Sequence, residues 1–388
     1  MLLIARIYES SQSQLLLLFH FPLNECLVDL PENFARHISL YRPRDREHDP
    51  SITLHKVFPS PAFTSLKHLC LVDDIRNLSE IPDNISLLSS LETLTLVNLA
   101  ITSLPETLKY LPRLHWLYVY RCRMLQSIPT LSLNLVNFTV YGCGSLETVL
   151  SSMDEPDDKP NPCNVVLLNC KKLDTHSYRT VLKGAIDGIE NEEDDIIQYF
   201  LPVLPGIEYW LDYSSTQVSF TLELPPNLLG FAYYLVLSQG RVGVKDIRIG
   251  CECFLDSISG ERIRITSSPS RAIFKLGWCS YPITLYMESD HVVLWYDRVN
   301  CNQIMEAVVE EIKAINDIGT SYNPMLTFRF FIDENNDENN TLYDEVSIKE
   351  CGFHWIYQEE TVPPTRKLMQ HVFGTPMPSL SDQTKGLR

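Results

Sequence analysis

Leu66-Lys67-His68-Leu69-Cys70-Leu71, Leu91-Glu92-Thr93-Leu94-Thr95-Leu96, Leu114-His115-Trp116-Leu117-Tyr118-Val119 and Leu135-Val136-Asn137-Phe138-Thr139-Val140 repeat one arrangement of apolar positions, with starts 25, 23 and 21 residues apart. This spacing fits a short strand entered through a turn better than an amphipathic helix, whose apolar face recurs every three or four residues or so. The units also continue alike. Cys122 and Cys143 stand three residues after Val119 and Val140, where the chain turns inward and a small buried side chain can satisfy backbone amides. A second apolar pair follows: Leu78 with Ile81-Pro82, Leu104-Pro105, and Leu125 with Ile128-Pro129. Proline at that point fixes φ and ends the loop. A worn fifth unit is visible at Val165-Val166-Leu167-Leu168-Asn169-Cys170-Lys171-Lys172-Leu173.

These periods and positions are those of a leucine-rich-repeat array over 66–173, an α/β solenoid with one strand per unit on a concave face. In residues 1–65, Leu30-Pro31-Glu32 and Ile52-Thr53-Leu54 suggest degenerate repeats or a poorly defined N-terminal segment. Alternation along the strands assigns a set of side chains to the solvent on the concave side. They include Cys70, Val72 and Val97, and nine candidate protein-binding residues: His68, Thr93, Thr95, Trp116, Tyr118, Tyr120, Asn137, Thr139 and Tyr141. The patch is centred on Trp116, Tyr118, Tyr120 and Tyr141. Large aromatics on a rigid face can anchor a partner protein. They can equally be covered by the chain's own second domain, and the sequence leaves both readings open.

The chain has 388 residues, 45% hydrophobic and 21% charged, enough for two domains each with its own core. A net charge of −17 argues against sequence-independent binding to nucleic acid or anionic lipid, which relies on Lys and Arg neutralising phosphates. A protein partner fits better. The 11 cysteines are odd in number and scattered, so reduced thiols in the cytoplasm, or in the nucleus, are expected rather than a disulfide framework. The sequons at Asn77, Asn84, Asn137 and Asn339 would matter only in a secreted chain. Met1–Ile7 and Leu15–Phe21, separated by the polar run Glu9–Gln14, fall short of the roughly 18–20 apolar residues that cross a bilayer and lack the features of a signal peptide.

Beyond the repeats the texture changes. Met153–Pro162 is charged and proline-rich and reads as a surface loop. A helix from Thr175 to about Ile189 and the acidic run Glu190–Asp195 form a linker over 174–198. Calcium loops need spaced ligands and a turn glycine, so this run reads as a solvated acidic stretch. From 199 to 357 come short strand-like runs: Val218–Leu224, Phe231–Leu237, Val244–Ile249, Ile263–Ile265, Val292–Tyr296, Leu326–Phe331, Val346–Ile348 and Trp355–Tyr357, with one helix at Ile304–Ile315. Such a series indicates a two-sheet β-sandwich. Residues 358–388 are expected to be a disordered tail.

Pro205-Gly206-Ile207-Glu208-Tyr209-Trp210-Leu211-Asp212-Tyr213, Leu224-Pro225-Pro226-Asn227-Leu228-Leu229-Gly230-Phe231, Ser289-Asp290-His291-Val292-Val293-Leu294-Trp295-Tyr296-Asp297 and Cys351-Gly352-Phe353-His354-Trp355-Ile356-Tyr357 occur in that order. Together they resemble the jelly-roll/immunoglobulin-like domain that follows the repeats in plant intracellular immune receptors of the TIR, nucleotide-binding, leucine-rich-repeat class. The resemblance spans most of 66–357. It implies recognition of a pathogen effector or a guarded host protein, with a full-length immune receptor as a further partner. It also departs from the family pattern: there is no Gly-x-x-x-x-Gly-Lys-Ser/Thr phosphate loop and nothing like the TIR domain. The expectation is therefore a C-terminal portion of such a receptor, as a truncated product or a gene-model fragment, without the NAD-cleaving and nucleotide-switching activities.

Other chemistry is weakly supported by the sequence. Cys251-Glu252-Cys253 puts two thiols on one strand face, yet no second pair stands near to complete a zinc site. Asp290, His291 and His354 could serve a serine hydrolase, but no Gly-x-Ser-x-Gly elbow holds a nucleophile. No catalytic residue, cofactor or metal is expected. The reading is a leucine-rich-repeat solenoid followed by an all-β jelly-roll/immunoglobulin-like sandwich with one or two helices, sensing a protein ligand; a truncated adaptor or decoy that binds other receptors is the alternative, and a hydrolase the remote one.

Overall fold

The computed structural model describes residues 3–9, 13–19, 37–42, 54–55, 58–59, 63–73, 78–131, 134–149, 162–190, 195–203, 211–243, 248–257, 259–267, 271–272, 285–318, 324–333 and 346–357. Among them the molecule is mostly β, with two long α-helices. The two apolar runs at the N-terminus are paired strands: β1 (Leu3–Glu9) and β2 (Ser13–Phe19) form an antiparallel hairpin. β3 (His37–Arg42) pairs antiparallel with β1 and parallel with the first matched repeat. Leu30-Pro31-Glu32 and Ile52-Thr53 lie outside the described residues, while Leu54 is buried and accepts the amide of Phe58 in a helical turn.

The repeats stack as their spacing predicts. β4 (His68–Asp73), β5 (Thr93–Val97), β6 (Trp116–Tyr120), β8 (Asn137–Tyr141) and β10 (Asn164–Leu168) are parallel, in register, and pair in sequence order. On the opposite side β7 (Ser127–Ile128) pairs with β9 (Thr148–Val149). Pro82 and Pro105 each cap a 3-10 helix, Asp83–Leu87 and Glu106–Tyr110. One half of each strand, Leu69 and Leu71 through Val165 and Leu167, points into the array and is buried.

The turns after β5, β6, β8 and β10 share one conformation. Asn98, Arg121, Gly142 and Asn169 all adopt positive φ, between 54° and 67°. That left-handed turn aims each amide sideways at the next repeat: Asn98 N donates to Tyr120 O (2.8 Å), Arg121 N to Tyr141 O (2.7 Å) and Gly142 N to Leu168 O (2.9 Å). The cysteines one step further on are wholly buried. Their thiols donate to the carbonyl two residues back, Cys122 to Tyr120, Cys143 to Tyr141 and Cys170 to Leu168. They therefore donate to strand carbonyls, while the backbone amides of Cys122 and Cys143 in turn hydrogen-bond the thiols of Cys143 and Cys170, as the sequence suggested.

The array does not end at a linker. Asp174 caps helix α1 (Thr175–Glu190), its carboxylate accepting the amide of Ser177 at 2.7 Å. The helix leads into β11 (Ile196–Pro202), which pairs parallel with β10. On its other edge β11 pairs antiparallel with β20 (His291–Asp297). The remaining strands are β12 (Tyr213–Ser215), β13 (Ser219–Glu223), β14 (Leu228–Leu237), β15 (Gly240–Gly243), β16 (Arg248–Asp256), β17 (Arg262–Ser267), β18 (Arg271–Ala272), β19 (Leu285–Met287), β21 (Met325–Asp333) and β22 (Ile348–Tyr357), with helix α2 (Arg298–Ile318) after β20. One sheet of 13 strands, in the order β12-β22-β14-β20-β11-β10-β8-β6-β5-β4-β3-β1-β2, thus runs through both parts of the chain.

A second sheet, β13-β21-β16-β17 with β18 on β16, faces the C-terminal part of the first. Aromatic rings fill the space between them. Phe328 and Phe353 lie 4.6 Å apart, Phe231 meets Phe328 edge-on at 5.8 Å, and Phe220 meets Phe353 edge-on at 5.9 Å. Such pairs add about 0.5–1.5 kcal/mol each beyond the area they bury. Every residue of β20 is buried, as a continuous apolar run requires of a strand covered on both faces. No described helix is long and apolar enough to cross a membrane.

Candidate protein-binding face

Strand register sets the concave side chains in rows. His68, Thr93, Trp116, Asn137 and Asn164 form the row at the strands' N-terminal ends. Cys70, Thr95, Tyr118, Thr139 and Val166 form the middle row, and Val72, Val97, Tyr120, Tyr141 and Leu168 the row at the C-terminal ends. Alternation along β4, β5, β6 and β8 assigned the residues of those four strands to this side, and the register aligns them in these rows, with Asn164, Val166 and Leu168 of β10 extending each. Their exposure differs from the expectation. Thr93, Thr95, Tyr118, Tyr120, Thr139 and Tyr141 are buried, Tyr120 completely.

For Tyr141 the reason is visible at the end of the face. The C-terminal part of the chain folds back so that Tyr286 N donates to the Tyr141 hydroxyl at 3.4 Å. Tyr118 and Tyr120 stack on each other, with ring centres 6.1 Å apart. Arg121 lies 5.8 Å from the centre of the Tyr141 ring. Burial pushes the Tyr118 phenol up to about 12, so it stays a neutral hydroxyl. For Tyr141, the covering of the face by the chain itself is what the structure adopts.

A strip along the N-terminal ends of the strands stays open. His68, Trp116 and Asn137 are half-buried, as are Lys67, Glu92 and His115 just outside the row, and Val136 is 42% exposed. Polar contacts hold the strip in place: His68 Nδ1 meets Thr93 Oγ1 at 3.0 Å, Thr139 Oγ1 donates to Asn137 Oδ1 at 2.9 Å, and Lys67 pairs with Glu92. The His115 and Trp116 rings lie 5.4 Å apart. The hydrogen bond from Lys67 holds the Glu92 carboxyl below its usual value. Burial lowers the His68 imidazole, with Glu92 pulling it the other way. The strip therefore offers an indole and a valine beside two imidazole rings and a compensated ion pair. His115 and Val136 escaped the sequence reading because they precede the strands, although each occupies the same slot in its unit.

At the opposite corner the two parts of the chain are clasped. Asn169 Nδ2 donates to Tyr286 O (2.6 Å), Asn169 Oδ1 accepts from Glu288 N (3.0 Å), and Asn169 N donates to His291 Nε2 (3.1 Å). Lys171 pairs with the Glu288 carboxylate at 3.1 Å. His291 Nδ1 faces Ser289 O at 2.8 Å. Asp290, the neighbour that a hydrolytic reading would pair with His291, directs its carboxylate to Lys349 Nζ (2.7 Å) and Gln239 N (3.1 Å). His354 lies instead beside Asp212, at 3.4 Å. Cys251 and Cys253 are both buried on one face of β16, and burial pushes both thiols up.

No family model matches the chain. It is 25% identical over 315 residues to Disease resistance-like protein DSC1 of Arabidopsis thaliana, an alignment covering 73% of this chain and 24% of that protein. A probable disease resistance protein of the same plant is 30% identical over 333 residues, covering 81% of this chain and 18% of the relative. Disease resistance-like protein DSC2 is 29% identical over 141 residues, or 33% of this chain and 11% of that protein. The chain spans about a quarter or less of the length of these relatives. Over much of its length, the chain is a homologue of plant disease resistance proteins.

Proposed function

We propose that this chain is the ligand-sensing portion of a plant immune receptor, and that it senses by binding a pathogen effector or a guarded host protein. The observation that carries this reading is the open strip around Trp116 on a rigid sheet, in a chain homologous to disease resistance proteins. Desolvating the Trp116 indole and Val136 supplies affinity, while the His115, His68 and Lys67–Glu92 surroundings select the partner. The two facing sheets of 211–357 support assigning that part to the jelly-roll/immunoglobulin-like class, with its loops beside the repeat face as a second contact. The working location is the cytoplasm or nucleus, no cofactor takes part, and no reaction is catalysed.

The test is binding of the purified chain to a panel of effectors and host targets, with and without Trp116→Ala. A partner whose affinity falls tenfold or so in the variant, the size expected of an anchor residue, supports the reading. Effector-independent capture of a full-length receptor, unaffected by Trp116→Ala, would point instead to the adaptor or decoy. Turnover of NAD or an ester lost with one side chain would sink both.

A further inference from the structure

We propose that His291 is a positioning residue which locks the C-terminal part of the chain onto the repeat array, its neutral imidazole standing in for the carbonyl that another repeat would supply. The ladder of left-handed turns carries the argument. Asn98, Arg121 and Gly142 each donate an amide to the strand carbonyl of the following repeat. Asn169 has the same backbone conformation, but β11, the strand that follows, stays paired with β10 only as far as Val166 and Phe200, and the Asn169 amide bonds a side chain instead of a strand carbonyl. His291 Nε2 takes that place at 3.1 Å.

The partners dictate the tautomer. Ser289 O can only accept, so Nδ1 carries the proton; the Asn169 amide can only donate, so Nε2 must present its lone pair. An imidazolium would turn a second N–H toward the Asn169 amide. The surroundings favour the neutral form. His291 is wholly buried, with the Phe200 ring edge-on at 5.3 Å and Pro202 opposite it in register. The charged groups near it come from three segments: Asp290 and Glu288 on its own, Lys171 after β10, and Lys349 on β22. They neutralise one another as Lys349–Asp290 and Lys171–Glu288 pairs. Burial accordingly pulls the imidazole down to about 4. The Asn169 side chain completes the joint by bonding Tyr286 O and Glu288 N as an extra strand residue would.

The full chain carries the experiment. In a nitrogen-15 spectrum of the histidine side chains, the signal missing from His291→Gln identifies His291. It should report a protonated Nδ1 and a bare Nε2, unchanged down to about pH 5. Amide exchange at Asn169 should quicken roughly fivefold or more in His291→Phe, which keeps the ring but cannot accept, as loss of one buried hydrogen bond implies. Exchange in β5 and β6 should not change. A proton on Nε2, titration near pH 6.5, or unaltered Asn169 exchange in His291→Phe would overturn the proposal. If His291→Phe does not fold, the wild-type tautomer and its titration decide alone.

Discussion

At Gly352 a single added carbon decides whether two strands can pair. A Cβ there would stand 2.0 Å from Tyr213 O and 2.9 Å from Ser214 Cα, both backbone atoms of β12. Backbone cannot swing aside, so Gly352→Ala should strip β12 from β22 and cost about 4 kcal/mol, at the severe end for one substitution. Gly144→Ala, which meets nothing within 4 Å, should change stability by about 0.5 kcal/mol or less; thermal unfolding of the two variants checks both. The thiols make a second prediction at this scale. Cys122, Cys143 and Cys170 are buried, and burial pushes Cys170 up to about 12, whereas Cys163 is half-buried. Alkylation of the folded chain at pH 8, followed by peptide mass spectrometry, should label Cys163 well before those three.

Among the elements, the joint between array and C-terminal strands responds to pH in a direction that can be worked out. His291 ionises near its ordinary 6.5 when unfolded and near 4 when folded, so between these values the unfolded chain binds a proton that the folded one refuses. Its contribution is complete above about pH 6.5 and falls away as pH drops toward 4. The span corresponds to roughly 3 kcal/mol, at about 1.4 kcal/mol per unit. Urea titrations at pH 7 and pH 4.5 should show that loss in the wild type and a smaller one in His291→Gln. The repeats were legible in the sequence because each strand, turn and cysteine is fixed by neighbours within about 25 residues. The burial of Tyr141 was not, since Asn169 and Tyr286 meet across 117 positions and neither carries a local signal of the other. The linker expected over 174–198 takes in the first residues of β11, because Glu190–Asp195 precedes them. Its buried run Ile197–Pro202 is explained only by strands on both sides.

On the scale of the whole molecule, the shared sheet predicts that the chain does not divide into independent halves. A cut between Glu190 and Ile196 would bare the edges of β10 and β11, which offer unpaired backbone beside apolar side chains. Halves produced separately should aggregate, and halves produced together should elute from a sizing column as one species. The candidate site follows the same logic, since strand alternation is a local property, whereas the burial of Tyr141 depends on Tyr286, 145 residues away. The repeated turn carries a further consequence. Because each rung of the amide ladder joins only adjacent repeats, inserting or deleting one repeat upstream of Asn137 would leave the Asn169 clasp untouched. It would move the N-terminal end by one strand spacing, about 4.8 Å. The array is thus a ruler with a fixed zero at its C-terminal end, along which gene duplication can set the distance between Trp116 and any surface further upstream.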